Sequence, residues 1–188
     1  LVTKKIAAIC RSHHAFNLTP FKVTEKWEHS RFTDPYMRED LMDYGMLIDT
    51  LECGVNWEQL PRVHREVREV VKKHPATICM THISHAYPQG ANLYFIFVIK
   101  YKGINEYLKL QYGILEAICQ AGAAISHHHG VGKQTAPWLE EQIGNPCMEV
   151  IRVLRDHFDP NHIMNPGGTL GLDMSREQAS KRWGFRPK

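Results

Sequence analysis

Between Asn56 and Lys72 the apolar positions Leu60, Val63, Val67, Val70 and Val71 recur at helical spacing, and Arg62, Arg65, Glu66, Arg68, Glu69 and Lys72 take the other face. This pattern predicts an amphipathic helix, with Asn56 as its cap and His74-Pro75 as its end. A second helix is predicted from Ile104, Tyr107, Leu108, Leu115, Ile118 and Cys119, stopping near Gly122. Three runs read as strands: Met46 to Leu51, Thr77 to Ser84 and Asn92 to Tyr101. The last two are joined by Tyr87-Pro88-Gln89-Gly90, which has turn chemistry. Asp34-Pro35 suits the start of a short helix through Met37 to Tyr44, stopped by Gly45. Further helices are expected over residues 136–142 and 147–158. Upstream, only a short helical stretch near residues 4–12 is legible, so residues 1–30 read as a connector. Residues 171–188 read as a polar, basic tail.

The order strand, helix, strand, strand, helix predicts an α+β fold, an antiparallel sheet with helices on one face. The run Leu93-Tyr94-Phe95-Ile96-Phe97-Val98-Ile99 is apolar at both strand parities, the pattern of a strand covered on both faces. Either helices wrap both faces, or a partner domain or ligand surface covers the second one.

Composition adds little constraint. The chain has 188 residues, 43% hydrophobic and 23% charged, which fits one compact domain. A net charge of +3, with both signs interspersed, gives no basic stripe for nucleic acid. No apolar run approaches the ~20 residues of a membrane span. The opening Leu1-Val2-Thr3-Lys4-Lys5 lacks both Met and a signal-like apolar segment, so the sequence reads as a piece of something longer. Five scattered cysteines without a C-x-x-C pair read as reduced thiols, mostly core fillers, in an intracellular protein.

The chemistry is sought among 12 histidines. In Ile125-Ser126-His127-His128-His129-Gly130-Val131-Gly132-Lys133, three consecutive imidazoles cannot all point one way. Imidazole suits proton transfer, and Gly130 and Gly132 allow unusual backbone angles near a flat ligand; a solvated turn or a tag remnant is the plainer reading. His82 and His85, three apart, can share a metal ion only if the strand has ended between them, and otherwise each is an imidazole held by a backbone carbonyl. Arg38, just inside the short helix, offers a fork for phosphate or carboxylate, or a surface pair with Asp34 or Glu39. Tyr94 reads as a core aromatic or as a phenol facing a cofactor. No G-x-G-x-x-G, Walker or G-x-S-x-G motif is present, so the chain cannot hold a dinucleotide by itself.

Together these stretches resemble the C-terminal, substrate-capping part of FAD-linked oxidases of the vanillyl-alcohol oxidase type, closest to the alkyldihydroxyacetonephosphate synthase (alkylglycerone-phosphate synthase) branch. The carriers are Arg31-Phe32 with Pro35-Tyr36-Met37-Arg38, Asp49-Thr50-Leu51-Glu52 before Trp57, Tyr87 to Phe95, Ser126 to Lys133, and Phe158-Asp159-Pro160 before Asn165-Pro166-Gly167. The resemblance implies that residues 31–170 form a ferredoxin-like antiparallel sheet backed by helices, a cap over FAD, which is bound mainly by an N-terminal domain outside this sequence. That domain would come from the same protein or a separate chain, leaving the isolated chain inactive. The implied reaction exchanges fatty acyl for fatty alcohol on dihydroxyacetone phosphate through a flavin N5 adduct, as in ether-lipid synthesis.

By the same resemblance Arg38 grips the substrate phosphate, and Tyr94, His127, His128 and His129 are the active-site groups. Asn165, Pro166 and Gly167 form a closing loop near the flavin. A homodimer is implied, cytoplasmic in a bacterial relative or peroxisomal in a eukaryotic ether-lipid pathway. Two alternatives stay open. In 2-hydroxy-acid dehydrogenases of the wider superfamily, a metal is held by His residues before a Gly-Asn-Leu-His turn and by a Glu. Here Gly90-Ala91-Asn92-Leu93-Tyr94 and His128 stand at those places, so His85, Tyr94 and His128 would form the site. The other alternative is a free-standing binding domain without catalysis.

Overall fold

A computed structural model describes residues 2–15, 21–166, 168, 170 and 172. The elements run α1 (Val2–Ser12), α2 (Val23–Ser30), α3 (Asp34–Asp43), β1 (Met46–Asn56), α4 (Leu60–Lys72), β2 (Ile78–Ser84), β3 (Gly90–Lys100), α5 (Ile104–Gln120), α6 (Ala136–Ile143) and α7 (Asn145–Phe158). The chain divides into two compact units, Leu1–Asp40 and Leu41–Lys188. Among the described residues, no helix is long and apolar enough to cross a membrane.

In the first unit the described side chains are exposed, apart from a partly buried Ala7. α2 lies where the pattern predicts only a connector. Its apolar positions, Val23 and Trp27, are too few in eight residues to establish a period. Arg31 closes this helix: its backbone N–H donates to the Trp27 carbonyl at 2.8 Å, and its guanidinium lies over the Phe32 ring at 4.8 Å.

The second unit carries the predicted α+β core. Its sheet has the order β1-β3-β2 with both pairings antiparallel. α4 carries the chain from β1 to the far edge of the sheet and leaves between them the slot that β3 fills, a split β-α-β arrangement. The odd-numbered positions Leu47, Leu51, Cys53 and Val55 of β1 and Leu93, Phe95, Phe97 and Ile99 of β3 are buried. They pack with Val63, Val67 and Val71 of α4 and with Leu110, Ile114, Leu115 and Ile118 of α5. The predicted valine stripe of α4 is therefore its buried face. On that face Asp49 is satisfied by α5, with the Tyr107 hydroxyl and the Gln111 amide (3.1 Å) both donating to its Oδ2.

The even-numbered positions form the other face. Ile48, Thr50, Ile96 and Val98 are partly buried there, and Ile78 and Met80 are exposed. Within this unit the helices cover one face of the doubly apolar β3, and Ile96 and Val98 on its other face are only partly buried.

β1 runs five residues past its predicted end at Leu51. Gly54 disguises this stretch in the sequence, although a Cβ there would make only ordinary contacts, 3.6 Å from the Cβ of Ala124 and 3.9 Å from that of His127. The Ala124 N–H donates to the Gly54 carbonyl at 2.8 Å. The chain after α5 thus lies close along the edge of β1, and this contact positions the site.

Candidate functional site

Glu52 sits on the even face of β1, directly across from Tyr94 on β3, which in turn pairs with His82 on β2. Although acidic, Glu52 is 1% exposed, because the segment after α5 folds over it. α5 ends at Gln120, and just beyond it Gly122 turns the chain with a φ of +81°, which suits glycine. The segment is then clamped on two sides. One is the edge of β1. The other is Gln142 of α6, which accepts from the Ile125 N–H at 3.0 Å and donates to the Ala123 carbonyl at 2.7 Å.

Ser126 to His129 then wrap the Glu52 carboxylate. The Ser126 hydroxyl donates to Oε1 at 2.9 Å, and the backbone N–H groups of His127, His128 and His129 donate at 2.8–3.0 Å. From the opposite side Asn92, fully buried, donates its amide to Oε2 at 2.5 Å. Successive N–H groups converging on one anion form a nest, here filled by the protein's own side chain. Burial pushes the Glu52 pKa up, but the N–H groups of His129, His128 and His127 and the Ser126 hydroxyl outweigh it and hold the carboxyl below its ordinary range. Gly130, at φ +80°, turns the chain away; Gly132 does not adopt a left-handed φ.

With the backbone turned inward, the three imidazoles splay outward. Neighbouring rings stand at 79° and 72° to one another. His127 accepts or donates at Nε2 to the Tyr87 hydroxyl, 3.0 Å away, and its Nδ1 lies 3.1 Å from Nδ1 of His128. His128 stacks on Tyr94 with ring centroids 5.9 Å apart, and His129 meets Tyr94 edge-on at 5.2 Å. Tyr94 is therefore no core aromatic. It stands on the even face, its hydroxyl donating to Thr50 Oγ1 at 3.2 Å.

His82 and His85 both reach this cluster. His82 lies on the strand and packs against Tyr94 at 4.9 Å. β2 then ends at Ser84, and His85 takes a left-handed φ of +50°, which brings its ring to 5.2 Å from His127 and 5.3 Å from His128. The strand has ended between them, so the opposite-face restriction does not apply.

Candidate ligand atoms of Glu52, His127 and His128 lie within 4.8 Å of one another. The donor set nevertheless suits a metal poorly. Both Glu52 oxygens already accept hydrogen bonds, and the facing Nδ1 atoms of His127 and His128 are committed to each other. The same reasoning bears on a dinucleotide. The nest that would cradle a pyrophosphate is filled by Glu52, whereas phenol and imidazole groups on the even face suit a planar ring and its substrate.

Residues 2–169 match the sequence model of a family described as FAD linked oxidases, C-terminal domain. The chain belongs to that family. Among its curated relatives within and around this family, alkyldihydroxyacetonephosphate synthase of Dictyostelium discoideum is 34% identical over 149 residues, covering 74% of this chain and 24% of that protein. Glycolate oxidase subunit GlcD of Bacillus subtilis is 24% identical over 185 residues, 95% of this chain and 38% of that protein. A solved structure of alkyldihydroxyacetonephosphate synthase superposes with a TM-score of 0.53 at 26% identity, over 76% of this chain and 23% of the other. The chain thus spans about a quarter of the length of the first of these relatives. The FAD-linked oxidase C-terminal domain accounts for the antiparallel sheet with its helices on one face.

Among the residues singled out from the sequence, Tyr94, His127, His128, His129 and His85 come together in one cluster. Arg38 lies on α3 in the first unit. Asn165, at φ +49°, and Pro166 follow a turn after α7 in which Asp159 accepts the N–H groups of Ile163 (3.0 Å) and Met164 (2.8 Å). Gly167 lies outside the described residues. Sequence reasoning gave no role to Glu52, Asn92, Tyr87 or Gln142. For Glu52 a signal existed: an acid in a strand of apolar residues, two positions before a glycine.

Proposed function

We propose that this chain is the substrate-capping domain of an FAD-dependent enzyme of the alkyldihydroxyacetonephosphate synthase type, exchanging fatty acyl for fatty alcohol on dihydroxyacetone phosphate. The observation that carries the reading is the triple-histidine segment hung on the buried Glu52 carboxylate beside Tyr94. The flavin, when bound, supplies electron-pair chemistry at the substrate carbon; Tyr94 and His129 are the residues that would face it. His128 and His129 take a proton from that carbon and return it, roles that need imidazoles in fixed orientations. Tyr94 offers a hydroxyl to a substrate oxygen, and the Arg38 fork suits the phosphate. Residues 31–170 act as the cap and residues 1–30 join it to an FAD-binding domain, in the same protein or another chain, which holds the rest of the cofactor.

A second reading, a 2-hydroxy-acid oxidoreductase, draws on the likeness to GlcD over 95% of the chain and on the proximity of His85, Tyr94 and His128. Purified full-length protein, given acylated dihydroxyacetone phosphate and a labelled fatty alcohol, is expected to form labelled ether without net reduction of a dye. Dye reduction by a 2-hydroxy acid, with no ether formed, would establish the second reading. Neither activity, in flavin-loaded protein, would leave a binding domain.

A further inference from the structure

A hydrogen-bonded line runs away from the Tyr94 side of the cluster. His128 and His127 face each other through their Nδ1 atoms at 3.1 Å, and Nε2 of His127 lies 3.0 Å from the Tyr87 hydroxyl. Tyr87 and His127 both line a cavity of about 370 Å³ at the end of β1 and the start of β3, together with Gly54, Asn56, Gln59 and Gly90. Tyr87 is 48% exposed, yet its backbone is fixed at both polar atoms. Its N–H donates to the Gly90 carbonyl at 2.7 Å, and its carbonyl accepts from the Trp57 indole at 3.0 Å. A half-exposed side chain held in this way is positioned for one partner.

We propose that His128, His127 and Tyr87 form a proton relay between the reacting centre and this cavity, with Tyr87 as its solvent-side terminus. This rests on the reading above that His128 exchanges protons with substrate. Two nitrogens 3.1 Å apart attract only if one proton lies between them. His127 and His128 therefore hold opposite tautomers.

In one polarity His128 carries Nδ1–H and His127 carries Nε2–H. A proton arriving at Nε2 of His128 drives its Nδ1 proton to Nδ1 of His127. The Nε2 proton of His127 passes to the Tyr87 oxygen, and the original Tyr87 hydroxyl proton leaves to water in the cavity. Each group ends with as many protons as it began with, and both tautomers are inverted. Delivery of a proton to substrate runs the line backwards and restores them, so the two polarities serve the two halves of an exchange reaction. Glu52 Oε2, 3.7 Å from Nδ1 of His128, is too distant for a hydrogen bond but close enough to stabilise positive charge in transit.

The test is Tyr87→Phe in the full-length protein, which keeps the ring and removes the terminal hydroxyl. Turnover should fall about tenfold, part of the ~10²–10⁴ that a positioned acid–base group supplies. KM should stay unchanged, and the rate should rise again with added imidazole buffer small enough to enter the cavity. Ring-nitrogen NMR of the same protein, without substrate, should show opposite tautomers at His127 and His128, with the His127 signals changed by Tyr87→Phe. Equal turnover without buffer dependence, or identical tautomers at the two rings, would overturn the relay. The NMR readout needs no turnover, so a protein that forms no ether refutes the assigned reaction while the relay is still judged.

Discussion

Replacing Glu52 by Gln removes one charge and leaves the shape of the side chain. One amide oxygen can still accept from Ser126 and the backbone N–H groups of residues 127–129, while the new NH₂ faces Asn92. Asn92 can answer by turning its amide, since its other partner, the Ser84 hydroxyl, is able to accept as well as donate. What is lost is charge assistance. A hydrogen bond to an ionised group contributes ~1.5–3 kcal/mol, against ~0.5–1.5 for a neutral pair. About 1 kcal/mol lost at each of the three backbone bonds and the Ser126 bond is partly offset by easier burial of a neutral amide. The net cost is then about 2–4 kcal/mol, a large share of the ~5–15 that holds a domain together. Hydrogen exchange read on a peptide spanning residues 126–129 reports it directly. Protection should fall by a factor of about 30 to 1,000, at ~1.4 kcal/mol per tenfold. Glu52→Asp keeps the charge but draws the carboxylate back by one methylene, and it should lose protection as well. Unchanged protection in Glu52→Gln would refute the carboxylate as the anchor of the histidine segment.

Further outcomes follow from the same structure. Because the folded-state pKa of Glu52 lies below its unfolded value, its contribution is fully present above the unfolded glutamate pKa (~4.3) and is lost as pH falls through the folded value. Protection of the 127–129 amides should therefore be constant at neutral pH and collapse in acid; collapse starting above pH ~6 would contradict this. Burial, with Glu52 adding repulsion, pushes the Cys53 thiol up to about 12. In the native protein Cys53 should resist alkylation while the exposed Cys10 and Cys147 react, as mass spectrometry of the peptides would show. The buried Tyr112 hydroxyl has no hydrogen-bond partner among the described residues, so Tyr112→Phe should leave the unfolding free energy, read from urea denaturation, unchanged or raise it by up to about 1 kcal/mol. Phe97→Ala, at a fully buried position, should cost about 3–5 kcal/mol. Met80→Ala, 46% exposed on the other face, should cost less than about 1 kcal/mol, and equal costs would contradict the assignment of the two faces.

The fold was legible where periodicity was strong. The valines of α4 and the two-parity run of β3 determine a helix, a central strand and the side on which the helices pack. α2 was not legible, because two apolar residues in eight give no period. Nor was the second half of β1, where Gly54 signals a break although it sits inside the strand, paired with Asn92 of β3. The site was half legible. Three adjacent histidines drew attention as a run, and Tyr94 through the resemblance. The residue that organises them, Glu52, lies 74 residues before Ser126, its first partner in that segment, and the contact of Ala124 with Gly54 along the edge of β1 brings the two together. His85 was ambiguous for a local reason: whether it joins His82 depends on a single left-handed φ immediately after β2, which no residue type in Ser84-His85-Ala86 demands.

The proton transfer proposed for the Glu52-anchored histidines in a flavin-dependent exchange is tested most directly by His129→Ala in the full-length protein, measuring ether formation together with flavin content from the absorbance near ~450 nm. A loss of turnover of at least ~10²-fold, with flavin content unchanged, is the predicted result. Turnover within a few-fold of the unsubstituted protein, at equal flavin content, would contradict it.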